Sequence, residues 1–231
     1  MRGVLAHIEG KGKPMIEFLF DFISPYSYLA WTQVHALGAR SGHEVNPRPV
    51  LLAGILGSLG TKGPAEVPPR RAYFVKDVIR AAHRAGIALT LPPAHPFNPL
   101  LALRVAALDV DAALRRRIVD ALFGAVWATG VGIEGPDRVA AVLGDAGIDA
   151  APLLAAAVTP EAKERLRHNT DEALARGAFG VPTMFVDGEM FFGFDSFPAI
   201  EAFARGEDPV RQHADMVSRW ATLPATATRR P

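Results

Sequence analysis

The sequence predicts an α/β fold whose sheet-forming segments lie near the two ends of the chain, with an all-helical insertion between them. Three observations carry this. An apolar run with aromatic and β-branched content, Met15 to Phe22, is followed at once by Ser24-Pro25 and a helix-compatible stretch. From Arg70 to about Arg176, apolar residues recur at three- and four-residue spacing. The period then changes in "VPTMFVDGEMFFG", which reads as two short strands joined at Asp187-Gly188, a strong hairpin dipeptide.

The elements follow in order. Residues 1–14 read as a flexible lead-in. "MIEFLFDF" is a buried strand, and Pro25 suits the first turn of a helix that runs to about Arg40 and stops at Gly42. "EVNPRPVLL" is a second strand whose prolines suggest an edge position or a short pairing segment. "AGILGSLGTKGPAEVPP" is a Gly- and Pro-rich loop with room for one helical turn. "RRAYFVKDVIRAAHRAG", "NPLLALRVAALDV", "DAALRRRIVDALFGAVWATG", "PDRVAAVLGDAG" and "TPEAKERLRHNTDEALARG" are helices, each closing on Gly or a polar turn. "DSFPAIEAFARGED" is a closing helix, and about 20 further residues read as a weakly ordered tail. The expected division is an α/β domain from 15–52 and 177–206, a helical insertion over 53–176, and a tail over 207–231.

Composition narrows the function. The 231 residues are 49% hydrophobic and 21% charged, so a packed core is expected. A net charge of only +1 argues against nucleic acid as the main partner. There is no cysteine, which removes disulfides, protein thiol nucleophiles and sulfur-ligated zinc. No run of about 18 apolar residues reads as a membrane span. The N-terminal apolar stretch is too short and interrupted for a signal peptide, so the cytoplasm is the expected location. The histidines show no metal-binding pairing.

Strand, helix, strand, helical block, hairpin and helix is a thioredoxin-type order carrying an insertion. In that fold the active-site group lies where the first strand gives way to the first helix, and a proline, usually cis, faces it. "DFISPYSY" occupies the first place, and Val181-Pro182 the second. Redox members carry Cys-x-x-Cys where this chain has Ser24-Pro25-Tyr26-Ser27, so thiol–disulfide exchange by the protein is excluded. With "FDFISPYSYLA", "HPFNPLLALR" and "GAFGVPTMFVDGEMFFGFDSF" in this order, the chain resembles the 2-hydroxychromene-2-carboxylate isomerases, relatives of the kappa-class glutathione transferases. The likeness spans roughly residues 15 to 208.

The resemblance implies glutathione as cofactor and Ser24 as the catalytic serine. A helix N-terminus favours an anion, and a Ser hydroxyl there can donate to a thiolate and lower its pKa; taken alone, Ser24 is a helix cap. Val181, before Pro182, matches the position whose main chain pairs with the cysteinyl backbone of glutathione. Asp195 and Ser196 match the residues holding the γ-glutamyl end, although such a dipeptide is by itself more often an N-cap. Thr61 and Lys62 depart from the relatives' loop; Lys62 could meet the glycyl carboxylate, or be an ordinary exposed lysine. Tyr26, His95 and Asn98 are candidates for the substrate side, with core packing, a loop position and a helix cap as their respective alternatives. The implied reaction is glutathione-dependent conversion of 2-hydroxychromene-2-carboxylate, or a related aromatic-derived unsaturated acid, to the trans-o-hydroxybenzylidenepyruvate type of product. A kappa-like glutathione transferase and a non-catalytic binding protein are the alternatives. The expected partner is a small aromatic carboxylate, and the relatives imply a homodimer.

Overall fold

The computed structural model describes residues 13–227. The lead-in expected over 1–14 falls almost wholly outside them. Four strands form one mixed sheet: β1 (Met15–Phe20), β2 (Glu44–Pro49), β3 (Thr183–Val186) and β4 (Glu189–Phe192). Their order is β2-β1-β3-β4. β1 runs parallel to β2, with Met15 opposite Glu44, and antiparallel to β3, with Ile16 opposite Val186. β2 is an edge strand, as its two prolines require, since neither can donate to a ladder.

The pleat of β1 divides the interior. Ile16, Phe18 and Phe20 point to one face and join the main apolar cluster. There they meet Leu29, Trp31, Val34 and Leu37 of α1 (Pro25–Ser41), which closes on Gly42 in the left-handed conformation at φ 75°. Leu19 points to the other face and packs with Val50, Ile55, Ala173, Val181 and Phe185. Glu17, on the face of Leu19, is held by Arg48 and Arg176 at 3.1 and 2.8 Å. Phe20, Phe22, Trp31 and Phe123 form an aromatic knot that carries the main cluster from the sheet into the helices. Sheet and helical block thus share one core.

Between β2 and β3 come α2 (Leu52–Ser58), α3 (Pro68–Ala85), α4 (Leu100–Ala107), α5 (Ala112–Phe123), α6 (Pro136–Asp145), α7 (Ala150–Ala157) and α8 (Pro160–Ala175). α5 runs on into a π-helical turn, Gly124–Ala128. α9 (Phe197–Ala204) follows the hairpin, and α10 (Ala214–Thr222) lies beyond it. Two expectations change. Leu52, read as the end of the second strand, and residues 53–58, read as loop with room for one helical turn, form the two-turn α2: Ile55 is fully buried, and Asp21 of the neighbouring turn accepts from the Leu52 amide at 2.9 Å. The expected tail contains α10, whose residues are all exposed and which local periodicity alone accounts for.

Candidate functional site

β1 ends at Phe20, and Asp21 to Ser24 turn the chain into α1. Ser24 is the N-cap: its backbone is extended, and its Oγ accepts from the Ser27 amide at 3.1 Å. That bond uses one lone pair of the oxygen and leaves the hydroxyl proton free to rotate. The nearest acceptor for that proton is the Val181 carbonyl, at a long 3.5 Å. The Val181–Pro182 bond is cis, and Gly193 N donates to the Pro182 carbonyl at 3.0 Å. Strand-entry proline and serine cap therefore face each other.

Two further residues fix this turn. Asp21 is 1% exposed, and its carboxylate accepts from the Ile23 and Leu52 amides at 3.0 and 2.9 Å. Burial pushes this carboxyl up to about 7, against the lowering effect of the two amides. His95 approaches from the helical block, with Nε2 3.0 Å from the Ile23 carbonyl. A carbonyl only accepts, so Nε2 carries the proton and Nδ1 is the acceptor nitrogen. Burial lowers the pKa of His95 from its ordinary 6.5, opposed in part by the Ile23 carbonyl, so the ring is neutral at pH 7.

The turn opens onto a cleft of about 780 Å³. Asp21, Ser24, Tyr26, Lys62, Val181, Pro182, Asp195 and His95 line it. Of the residues singled out in the sequence, Thr61, Ser196 and Asn98 do not. Ser196 Oγ donates to its own loop at the Gly193 carbonyl, 2.8 Å away. Asn98 is exposed, and its Oδ1 accepts from the Leu100 amide at 3.0 Å, where it caps the approach to α4. Tyr28 and Trp127 are buried and donate to the Ala88 and Phe22 carbonyls, which makes them framework.

The structure adds residues that the sequence reading did not single out. One is Asp21, legible in retrospect as the charged residue inside the apolar run "FLFDFI". The others lie on α3. Phe74, Asp77, Ala81 and Arg84 line the cleft, and Tyr26 donates its hydroxyl to Asp77 at 2.5 Å. Burial and that carboxylate raise the Tyr26 pKa, so the phenol keeps its proton. Phe74 stands edge-on to Tyr26 and stacks on His95, with centroids 5.5 and 6.2 Å apart. The Asp195 carboxylate, in contrast, has no hydrogen-bond or ion-pair partner among the described residues, and the turn before it needs glycine at 193, whose φ of 91° lies in the left-handed region.

This geometry can be set against known proteins. The family described as the DSBA-like thioredoxin domain matches residues 15–204. The chain belongs to that family. A 2-hydroxychromene-2-carboxylate isomerase of Sphingobium xenophagum is 30% identical over 190 residues, 81% of this chain and 96% of that protein. One from Pseudomonas putida is 30% identical, covering 88% of this chain and all of that one. Glutathione s-transferase kappa 2 of Caenorhabditis elegans is also 30% identical, covering 83% and 92%. A solved structure of a 2-hydroxychromene-2-carboxylate isomerase superposes with a TM-score of 0.76 at 29% identity, over 87% of this chain and 98% of that one. The thioredoxin-like fold and the likeness expected from the sequence are both upheld. No helix among the described residues is long and apolar enough to cross a membrane.

Proposed function

We propose that the chain is a glutathione-dependent isomerase of an aromatic-derived unsaturated acid, of the 2-hydroxychromene-2-carboxylate type. The observation that carries this is Ser24: it caps α1 and lines the cleft beside cis-Pro182, and the one acceptor within reach of its hydroxyl among the described residues is the Val181 carbonyl at a long 3.5 Å. Such a hydroxyl donates to an anion placed at the N-terminus of α1. The rest of the cleft suits a tripeptide thiol. The Val181 amide, without a partner among the described residues, offers a main-chain donor. The Asp195 carboxylate suits an ammonium, and Lys62 suits a carboxylate. Glutathione, when bound, supplies the thiol that adds reversibly to a conjugated double bond and is returned after the bond has rotated. Ser24 would hold the sulfur as thiolate, and the aromatic wall of Tyr26, Phe74, His95 and Phe97 would orient the substrate and exclude water.

The deciding measurement follows product and glutathione together, using 2-hydroxychromene-2-carboxylate. Conversion that requires glutathione and leaves its concentration unchanged supports the isomerase. Stoichiometric loss of glutathione supports the second reading, a kappa-like transferase, which the 30% identity to a kappa-class protein favours. Absence of glutathione binding by calorimetry would overturn both and favour a binding protein.

A further inference from the structure

We infer that Arg84 anchors the carboxylate of the acidic substrate, with Ala81 leaving room for its ring, on the α3 wall of the cleft. This rests on the reading of the cleft given above. Phe74, Asp77, Ala81 and Arg84 are spaced by three, four and three residues, which puts them on one stripe of a helix, and all four line the cleft. The intervening Lys76 and Arg80 do not line the cleft, whereas Arg84, itself exposed, does. α3 is rich in basic residues, yet Arg84 is the one that the stripe carries into the cleft wall.

Arg84 is exposed to the cleft and to solvent, and no carboxylate of the described residues pairs with it. Four carboxylates line the cleft: Asp21, Glu66, Asp77 and Asp195. Asp21 is held by two amides, Glu66 by the Gly63 amide at 2.7 Å, and Asp77 by the Tyr26 hydroxyl, while Asp195 has no partner among the described residues and does not pair with Arg84. Arg84 forms no ion pair or hydrogen bond among the described residues. The other lining cation, Lys62, enters from the loop before α3, whereas Arg84 comes from its last turn. Cations arriving from opposite ends of one helix give the cleft two carboxylate positions, one for the cofactor and one for the substrate. Between Arg84 and the ring of Phe74, Ala81 is the one small side chain of the stripe. A planar ring seated there would lie against Phe74 and Tyr26, its acid group within reach of a guanidinium that binds carboxylates through two parallel bonds.

A cation in the last turn of a helix is also favourable to the helix itself, so stability alone decides nothing. The test compares wild type, Arg84→Ala and Arg84→Lys in two assays. In kinetics with 2-hydroxychromene-2-carboxylate, Arg84→Ala should raise KM about 10- to 100-fold, the loss of a charge-assisted hydrogen bond. Arg84→Lys should restore part of this, and the glutathione Kd should stay unchanged in both. In calorimetry without turnover, trans-o-hydroxybenzylidenepyruvate should bind wild type and be lost in Arg84→Ala, while its methyl ester shows no such difference. Equal binding of the acid by wild type and Arg84→Ala, or no binding to either, overturns the anchor. So does a weakened glutathione affinity in Arg84→Ala, which would assign Arg84 to the cofactor. The functional reading fails separately, if wild type does not bind glutathione.

Discussion

On the sheet side of the cleft, the groups around the serine are held by main chain. Ser24 is tied to the Ser27 amide, Asp21 to the Ile23 and Leu52 amides, and His95 to the Ile23 carbonyl. On the α3 side, the groups are held by one another, Tyr26 by Asp77 and Phe74 by the rings of Tyr26 and His95, while Arg84 has no partner among the described residues. Backbone partners fix position whatever the neighbouring side chains are; side-chain partners can be exchanged singly. The sheet wall is therefore suited to a constant chemical step and a constant cofactor, and the α3 wall to a variable substrate.

The comparison breaks most visibly at Ser24. Ser24→Ala should lower glutathione-dependent kcat/KM about 100-fold or more, the usual size of losing one donor to a developing or bound anion. It should also cost about 1 kcal/mol of stability through the lost cap. Parallel turnover and urea denaturation measurements would show both. If turnover survives while stability falls, Ser24 is a cap alone.

Asp21 tests whether the sheet wall depends on a protonation state. Its folded pKa, about 7, lies above the ordinary carboxylate value of 3.8 because burial disfavours the charged form. A raised carboxyl contributes stability that is complete below the unfolded pKa and is lost as pH rises toward the folded pKa. Wild-type stability should therefore decline from about pH 4 to about pH 7 through this group, the folded state holding the proton longer than the unfolded one. Asp21→Asn cannot ionise, and it turns an amide N–H₂ toward a backbone N–H. It should cost about 1–3 kcal/mol at low pH. The gap to wild type should narrow as pH rises through that window. Denaturation at pH 4 and pH 8 measures it, and a gap that widens would contradict the assignment.

On the α3 wall, Tyr26→Phe removes the hydrogen bond to Asp77 while keeping the ring against Phe74. Asp77 is partly exposed and can resolvate, so the loss should be about 1 kcal/mol of stability. The KM for the acid substrate should rise about fivefold, with glutathione affinity unchanged, as expected for an element that positions substrate alone. A fall in glutathione affinity instead would merge the two walls into one site.

How much of this was legible followed the same division. The strand–serine–proline turn, the Val181-Pro182 partner and the Asp187-Gly188 hairpin are local signals, each set by backbone chemistry, and the structure places all of them as read. Lys62, in the loop before α3, and Asp195, in a 3-10 turn after the hairpin, both line the cleft. The α3 wall was not legible. A stripe at three- and four-residue spacing says which side of a helix faces inward, not that it faces a cleft rather than the core, and only tertiary contact separates the two. α2 was read as no more than one turn within a loop for a related reason: its glycines read as loop, and the partner of its first amide, Asp21, is thirty-one residues away.

Asn98 gives the smallest and sharpest contrast. The sequence left it between the substrate side and a cap, and the structure supplies a cap: an exposed side chain accepting from Leu100 N, outside the cleft lining. Its own amide donates to Glu134 at 3.2 Å, which any residue at this position can do. Asn98→Ala should therefore cost about 0.5–1 kcal/mol in thermal or urea denaturation, the range of an exposed local side-chain bond, and leave KM and kcat within experimental error. Asn98→Asp should keep the stability, since the acceptor oxygen is retained. A rise in KM in Asn98→Ala without loss of stability would move Asn98 back to the substrate, and the cleft would then extend past Pro99 along the start of α4.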